Sequence, residues 1–199
     1  IRELIPIVSF VVQKGRCRSC RAAFSSQHPI VEFGCAVAYA IAAWAIFAYA
    51  PGSAMLLACI VFPAIAALIV LVVSDIRFQI LPDGAVIVLA LAGLAASIAR
   101  GYVLQDIGAA FVISFLFAAL WFFSRGAWMG FGDAKLVFAT SLAVGFPSSI
   151  AAFLFAFWLG GLFSLILLAA GSKDMQSRIP FGPFLIAGAL AAFVLAPSF

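Results

Sequence analysis

A membrane-embedded α-helical bundle is the fold class this sequence predicts, on three observations. Of its 199 residues 67% are hydrophobic and only 9% charged, where soluble domains average roughly 45 to 50% apolar and about 25% charged. A soluble core of this length could not hide so much apolar surface, so lipid must supply the missing solvent. The hydrophobic runs are helical in length, unlike the roughly 10-residue alternating segments of a membrane barrel. At about 20 residues per crossing, seven spans nearly exhaust the chain and leave no large soluble domain.

The chain opens on a polar segment, residues 1–29. Arg2, Glu3, Lys14, Arg16, Arg18 and Arg21 surround the apolar stretch from Leu4 to Val12, which is too brief to cross a bilayer. This segment is expected outside the membrane, and because the first residue is Ile rather than Met, the chain is expected to be a fragment or a processed form. A single membrane domain, residues 30–199, then holds spans from about Ile30 to Ala50, Ser53 to Val73, Gly84 to Ala99, Gly108 to Phe123, Ala134 to Phe146, Ser149 to Ala170 and Gly182 to Ala196. The third, fifth and last are short. Pro51, Pro82, Gly84, Gly108, Pro147 and Gly182 supply the turn signals between them.

Charge sets the orientation, because cytoplasmic loops are enriched in Lys and Arg. With seven spans, Arg2, Lys14, Arg16, Arg18, Arg21, Arg77, Arg125, Lys135, Lys173 and Arg178 fall on one side and Arg100 alone on the other. The ten-to-one asymmetry predicts that the leader and the loops around Asp75, Asp133 and Lys173 are cytoplasmic. It also explains the net charge of +4 without a nucleic-acid partner. The leader's charges read as a juxtamembrane patch attracted to anionic lipid.

Seven carboxylates exist in all, and those at membrane depth or its edge are functional candidates because burial is costly. Asp75 ends the apolar run of the second span, followed by Ile76-Arg77-Phe78-Gln79-Ile80-Leu81-Pro82-Asp83; Asp133 opens the fifth span in Gly130-Phe131-Gly132-Asp133-Ala134-Lys135. Both fall on the same predicted side. Gly130 and Gly132 would let a neighbouring backbone or an extended peptide approach closely. Plain structural roles also exist: Asp133, Asp83 and Asp106 could each cap the helix they precede. Asp75 resists that reading, since it stands at the helix end where an acidic residue is disfavoured, although a local ion pair with Arg77 could neutralise it.

Elimination narrows the chemistry. The sole histidine, His28, lies in the leader, so a Ser-His pair or a His-based intramembrane zinc site lacks its parts. No HExxH, P-loop or dinucleotide fingerprint is present, which leaves two aspartates as the acid/base pair. Cys17-Arg18-Ser19-Cys20 offers two thiolates, half of a tetrahedral zinc set.

The Asp75 segment with Pro82-Asp83, the Gly-Phe-Gly-Asp133-Ala-Lys135 run and the late Ile179-Pro180-Phe181-Gly182-Pro183-Phe184-Leu185 closely resemble the type IV prepilin peptidases, membrane aspartyl proteases of the GxGD type. In the leader, Ile5-Pro6-Ile7-Val8-Ser9, Lys14-Gly15-Arg16-Cys17-Arg18-Ser19-Cys20 and His28-Pro29-Ile30-Val31-Glu32 resemble that family's cytoplasmic segment in the same order. The resemblance implies that Asp75 and Asp133 are catalytic and that Gly130, Gly132 and Lys135 form the GxGDxK signature, with Pro82 and Asp83 in support. It implies cleavage of the basic leader of type IV prepilins or pseudopilins, for a pilus or a type II secretion system, at the cytoplasmic face of the bacterial inner membrane. It further implies S-adenosylmethionine as the cofactor of an accompanying N-methylation, and a structural zinc to which Cys17 and Cys20 supply half the ligands. An eighth helix and an earlier CxxC, usual in the family, would lie ahead of Ile1. Many members carry an acidic residue where Arg77 stands.

Two close carboxylates cannot both ionise cheaply, so such a dyad shares a proton and titrates as a pair. One activates water while the other polarises the scissile carbonyl. A proton-coupled transporter or channel using Asp75 and Asp133 as a relay would need them near mid-span, whereas the sequence puts them at an edge. A GxGD protease of the other kind is expected to carry a Tyr-Asp pair and a Pro-Ala-Leu motif; here Ser74 precedes Asp75, and Pro-Phe-Gly-Pro-Phe stands late in the chain.

Overall fold

The computed structural model describes residues 6–17, 20–23, 25–171 and 179–195. Arg2, Glu3, Arg18, Lys173 and Arg178 of the charge tally lie outside the described residues. Among the described residues the regular elements are helical, apart from an isolated bridge pairing Arg16 with Ala23. They are α1 (Pro6–Val12), α2 (Gln27–Tyr49), a short 3-10 turn (Pro51–Ser53), α3 (Ala54–Phe78), α4 (Asp83–Arg100), α5 (Val103–Ser124), α6 (Phe131–Val144), α7 (Ser148–Ala169) and α8 (Gly182–Leu195).

The chain divides into two compact units, residues 1–69 and 70–199. In the first, α1 packs against α2. The Tyr39 hydroxyl donates to the Phe62 carbonyl at 3.1 Å, with the two rings edge-on at 5.3 Å. The hydroxyl thereby gains the partner that a polar group in an apolar setting requires.

The second unit begins at the end of α3 and holds α4 to α8. Glycine and proline place the breaks: Pro82 stands in extended conformation just ahead of α4, and Gly101 closes that helix with φ +79, a left-handed conformation that costs glycine no Cβ clash. Close packing joins α4 to α6, where a Cβ on Gly93 would lie 2.7 Å from the Ala143 amide nitrogen. Only a glycine lets the two backbones come that near.

All seven expected spans appear as helices, but five are long and apolar enough to cross a membrane: Gln27–Tyr49, Pro51–Phe78, Asp83–Arg100, Val103–Ser124 and Ser148–Ala169. The remaining two, α6 and α8, have 14 residues each and so reach about 21 Å, less than the roughly 30 Å hydrocarbon core. Burial explains the shortness of α6, which packs against α4, α5, α7 and α8 and buries most of its residues; α8 packs on α6 and α7 with one side and leaves Leu190, Phe193, Val194 and Leu195 exposed. A helix walled by protein can end below the lipid surface because its terminal polar groups meet other protein groups instead of hydrocarbon.

Successive helices of this unit run in alternating directions. The end of α3 and the starts of α4, α6 and α8 therefore gather at one pole, and cross-links between them mark it. A different polar cluster ties the opposite pole. Arg100, at the end of α4, donates to Asp106 at 2.9 Å and to the carbonyls of Leu142 (2.8 Å) and Ala143 (3.0 Å) at the end of α6, while Asp106 accepts the Phe146 amide at 2.8 Å. Asp106 is thus not the expected cap. It lies inside the first turn of α5, is 1% exposed, and is held by tertiary partners instead of its own helix start.

This buried clamp and the exposed Asp83–Lys135 pair at the other pole should differ sharply in stability. Removing one partner of a buried pair leaves the other unmatched, so Asp106→Ala is expected to cost about 3 kcal/mol. Asp83→Ala should cost under about 1 kcal/mol. Thermal unfolding of both variants in one detergent measures the difference, and equal melting temperatures would refute it.

Candidate active site

Asp75 is 5% exposed and lies in the last turn of α3, where unpaired carbonyls make the helix end electronegative. What offsets this comes from 107 residues away. The Gly182 amide, at the first residue of α8, donates to Asp75 Oδ2 at 2.8 Å. That amide belongs to the first turn, so it has no acceptor within its own helix, and it carries the positive end of the α8 dipole. The approach requires glycine: a Cβ on residue 182 would sit 2.7 Å from the same carboxylate oxygen.

Asp133 is 7% exposed. The expected capping role falls to Gly130, the residue ahead of α6, and Asp133 is the third helical residue. Its Oδ2 accepts the Gly130 amide at 3.2 Å, the reach-back half of a capping box. The cause is simple, since Gly-Phe-Gly lets the helix start at Phe131, three residues earlier than the apolar run suggested. The two glycines behave differently. A Cβ on Gly132 would meet the Leu81 side chain at 3.1 Å, so Gly132 seats the 80–82 segment against α6, whereas a Cβ on Gly130 would make only an ordinary contact, 3.8 Å from Asp133 Oδ2.

Asp83 is likewise not a cap. Pro82 precedes the helix, no side-chain cap bond forms there, and the Asp83 carboxylate pairs with the Lys135 ammonium across α4 and α6. That ammonium also lies 5.4 Å from the centre of the Phe131 ring, a distance at which the ring face attracts a cation. Arg77 is exposed, and among the described residues it forms no ion pair with Asp75.

Asp75 and Asp133 line one cavity of about 1180 Å³, bordered also by Leu81, Asp83, Gly130, Gly132 and Lys135. Each carboxylate lies within electrostatic reach of the other. Each also has one oxygen tied to a backbone amide, leaving the second for chemistry. The expected residues of this pole, Pro82 included, are thus brought together around the cavity or at its edge.

Cys17 and Cys20 belong to the other unit. The Cys17 amide donates to the Ala22 carbonyl (2.8 Å), the Arg21 amide donates to the Cys17 carbonyl (2.9 Å), and Arg21 takes a left-handed φ of +56. Neither cysteine is in a disulfide. Two thiolates are half of a tetrahedral set, and no group of three or more metal-ligating side chains occurs among the described residues.

Two contributors escaped the sequence reading. Gly182 was visible as a turn signal and as part of the late Pro-Phe-Gly-Pro-Phe run, but not as a donor to Asp75; a Gly-Pro pair opening an apolar helix was the available signal of an amide left for an outside acceptor. Ser114 of α5, whose hydroxyl donates to the Ala134 carbonyl at 2.8 Å next to Asp133, gave no signal, being one serine in an apolar helix.

Residues 60–165 match the type IV leader peptidase family, and residues 1–46 match the bacterial peptidase A24 N-terminal domain. A prepilin leader peptidase/N-methyltransferase from Burkholderia pseudomallei (strain K96243) is 31% identical over 99% of this chain and 64% of its own length. The protein of that name from Bacillus subtilis (strain 168) is 33% identical over 98% of this chain and 77% of its own, and that from Pseudomonas aeruginosa is 30% identical over 95% and 66%. The chain therefore spans less than two thirds of the length of its Burkholderia relative. No solved structure matches it.

The Asp75–Gly182 contact can be probed without reference to function. Gly182→Ala is expected to push Asp75 off its amide and lower the melting temperature clearly, while Gly130→Ala, whose added methyl makes only ordinary van der Waals contacts, should change it little. Comparing the two melting curves in the same detergent checks this; an equal or larger loss for Gly130→Ala would be the wrong result.

Proposed function

The chain belongs to the type IV leader peptidase family, and from that premise we propose that it is a membrane aspartyl endopeptidase that cleaves the leader of type IV prepilins or pseudopilins. One observation carries the reading: the second unit, residues 70–199, brings a carboxylate from α3 and one from α6 to the same cavity at a single pole. Asp75 and Asp133 share a proton as a pair. One accepts a proton from the attacking water while the other donates to the scissile carbonyl oxygen, so that both charges change hands within the dyad. The Gly182 and Gly130 amides fix the two carboxylates without consuming their second oxygens. Lys135 and Asp83 pin α6 to α4 behind them.

The protein is a multi-pass membrane protein. We assign the dyad pole to the cytoplasmic side of the bacterial inner membrane, because Arg77, Arg125 and Lys135 lie at that pole and Arg100 at the opposite one. The relay alternative is not favoured, since both aspartates stand in terminal turns of their helices. Its relatives' name includes N-methyltransferase, and N-methylation of the new N-terminus from S-adenosylmethionine is the second activity we propose. Residues 1–29 would form the cytoplasmic segment and 30–199 the peptidase domain. Cys17 and Cys20 would hold a structural zinc together with two further ligands, and that metal would stiffen the segment.

Asp75→Asn and Asp133→Asn are each expected to abolish cleavage of a purified prepilin with the fold retained, since an amide cannot exchange the proton. Arg77→Ala, which removes an exposed cation that touches neither carboxylate, should keep activity within a few-fold of the parent. Gel and mass analysis of the products decides both points: cleavage at the parent rate by either Asn variant removes that aspartate from the mechanism, and an inert but folded Arg77→Ala shows the two-residue chemistry to be incomplete.

Zinc is tested separately. The reduced protein expressed from its complete gene should contain about one zinc per chain, and Cys17→Ser should lose it while hydrolysis at the dyad falls less than methylation. Elemental analysis finding no zinc in the parent would return the two cysteines to simple thiols.

A further inference from the structure

Beyond the carboxylates the cavity continues as a groove along one side of α7. Phe153, Phe157, Gly161, Ser164, Leu165 and Leu168 line it, recurring at the spacing of a single helix face and covering about 22 Å of helix axis. Leu168 lies at the dyad pole, where α7 ends. At the inner end the Phe153 ring meets Phe117 of α5 edge-on, with centroids 5.3 Å apart. Elsewhere α5 and α7 touch only sparingly.

Three properties define what this groove can hold. Its other polar groups are confined to the dyad pole, and the hydroxyl that α7 contributes to the lining, on Ser164, is already committed to the Gly160 carbonyl at 2.6 Å. Phe157, Leu165 and Leu168 line the cavity yet are 62%, 64% and 41% exposed, so the groove is open sideways toward lipid. At its middle, a Cβ on Gly161 would meet nothing within 4 Å, which leaves room for the flank of another helix. Glycine and serine at such a point are what close helix approach in a membrane uses.

We propose that this groove seats the apolar helix of the peptide substrate, which enters sideways from lipid between α5 and α7, and that the exposed face of α7 selects which helices reach the dyad. The inference rests on the peptidase reading. A peptide whose bond lies at Asp75 and Asp133 must continue out of the cavity, and the groove is the apolar path that begins there. A chain segment bordered by lipid satisfies its backbone only as a helix, and about 22 Å accommodates roughly 15 helical residues, most of a membrane crossing. Side chains of the α7 face therefore act on substrate binding and positioning, not on the proton transfers.

The test compares two substrates, a prepilin with its full apolar helix and a peptide truncated a few residues after the cleavage point. Gly161→Leu fills the groove without a clash in the unliganded protein, and Leu162→Trp alters a 59% exposed residue that does not line the cavity. Gly161→Leu is expected to lower the ratio of kcat/KM for the full substrate over the truncated one about tenfold, through KM, whereas Leu162→Trp should leave that ratio unaltered. A photoreactive amino acid replacing Leu165 in the Asp133→Asn background should cross-link to the substrate's apolar helix, and one replacing Leu162 should not. An unchanged ratio for Gly161→Leu, or equal cross-linking from both positions, overturns the groove while leaving the peptidase reading intact. Failure of the parent protein to cleave either substrate overturns the peptidase reading and the groove together.

Discussion

The membrane unit is organised around a carboxylate held at the wrong end of its own helix. Asp75 ends α3, where the backbone alone would repel it, and it is nonetheless buried. A single amide from the first residue of α8 offsets that cost. The contact requires α8 to begin at Gly182, to point its electropositive end at α3, and to carry no side chain there. Those demands explain why α8 starts at a buried residue, Gly182. Asp133 obeys the same logic on a smaller scale, its carboxylate returning to the amide at the start of its own helix.

Such an arrangement needs a rigid frame, since a shift of one helix past another would separate the two carboxylates. α6 supplies it. The helix is surrounded by α4, α5, α7 and α8, pinned at the dyad pole by Lys135 to Asp83 and at the far pole by Arg100, which grips its last carbonyls. The first clamp is exposed and adds little stability. The second is closed over a buried Asp106 and acts as the anchor. α5 and α7 meet only sparingly, and residues of both line the cavity.

Most of the architecture was legible because lipid is a demanding solvent: the apolar runs, with Gly and Pro between them, located each helix within a few residues. The pole shared by Asp75 and Asp133 also followed, from span counting alone. Caps were the weak point. Asp83, Asp106 and Asp133 each precede or open a helix, and local preference assigns all three to capping. Asp133 keeps a capping bond, to the Gly130 amide, from the third helical position, but Asp83 and Asp106 pair with Lys135 and Arg100, partners brought by helices that meet only in three dimensions. Gly182 was hidden for the same reason, because an amide donor has no side-chain signature. The length of α6 was readable as short but not as interior, since an apolar residue facing protein looks the same in sequence as one facing lipid.

The central claim is that Asp75 and Asp133 work as one unit with one shared proton. The pH dependence of kcat/KM for prepilin cleavage tests it most directly. A coupled pair gives a bell-shaped profile whose two limbs belong to the pair, active only between losing the first proton and losing the second. A profile with a single limb, rising or falling to a plateau across the stable pH range, would contradict the account.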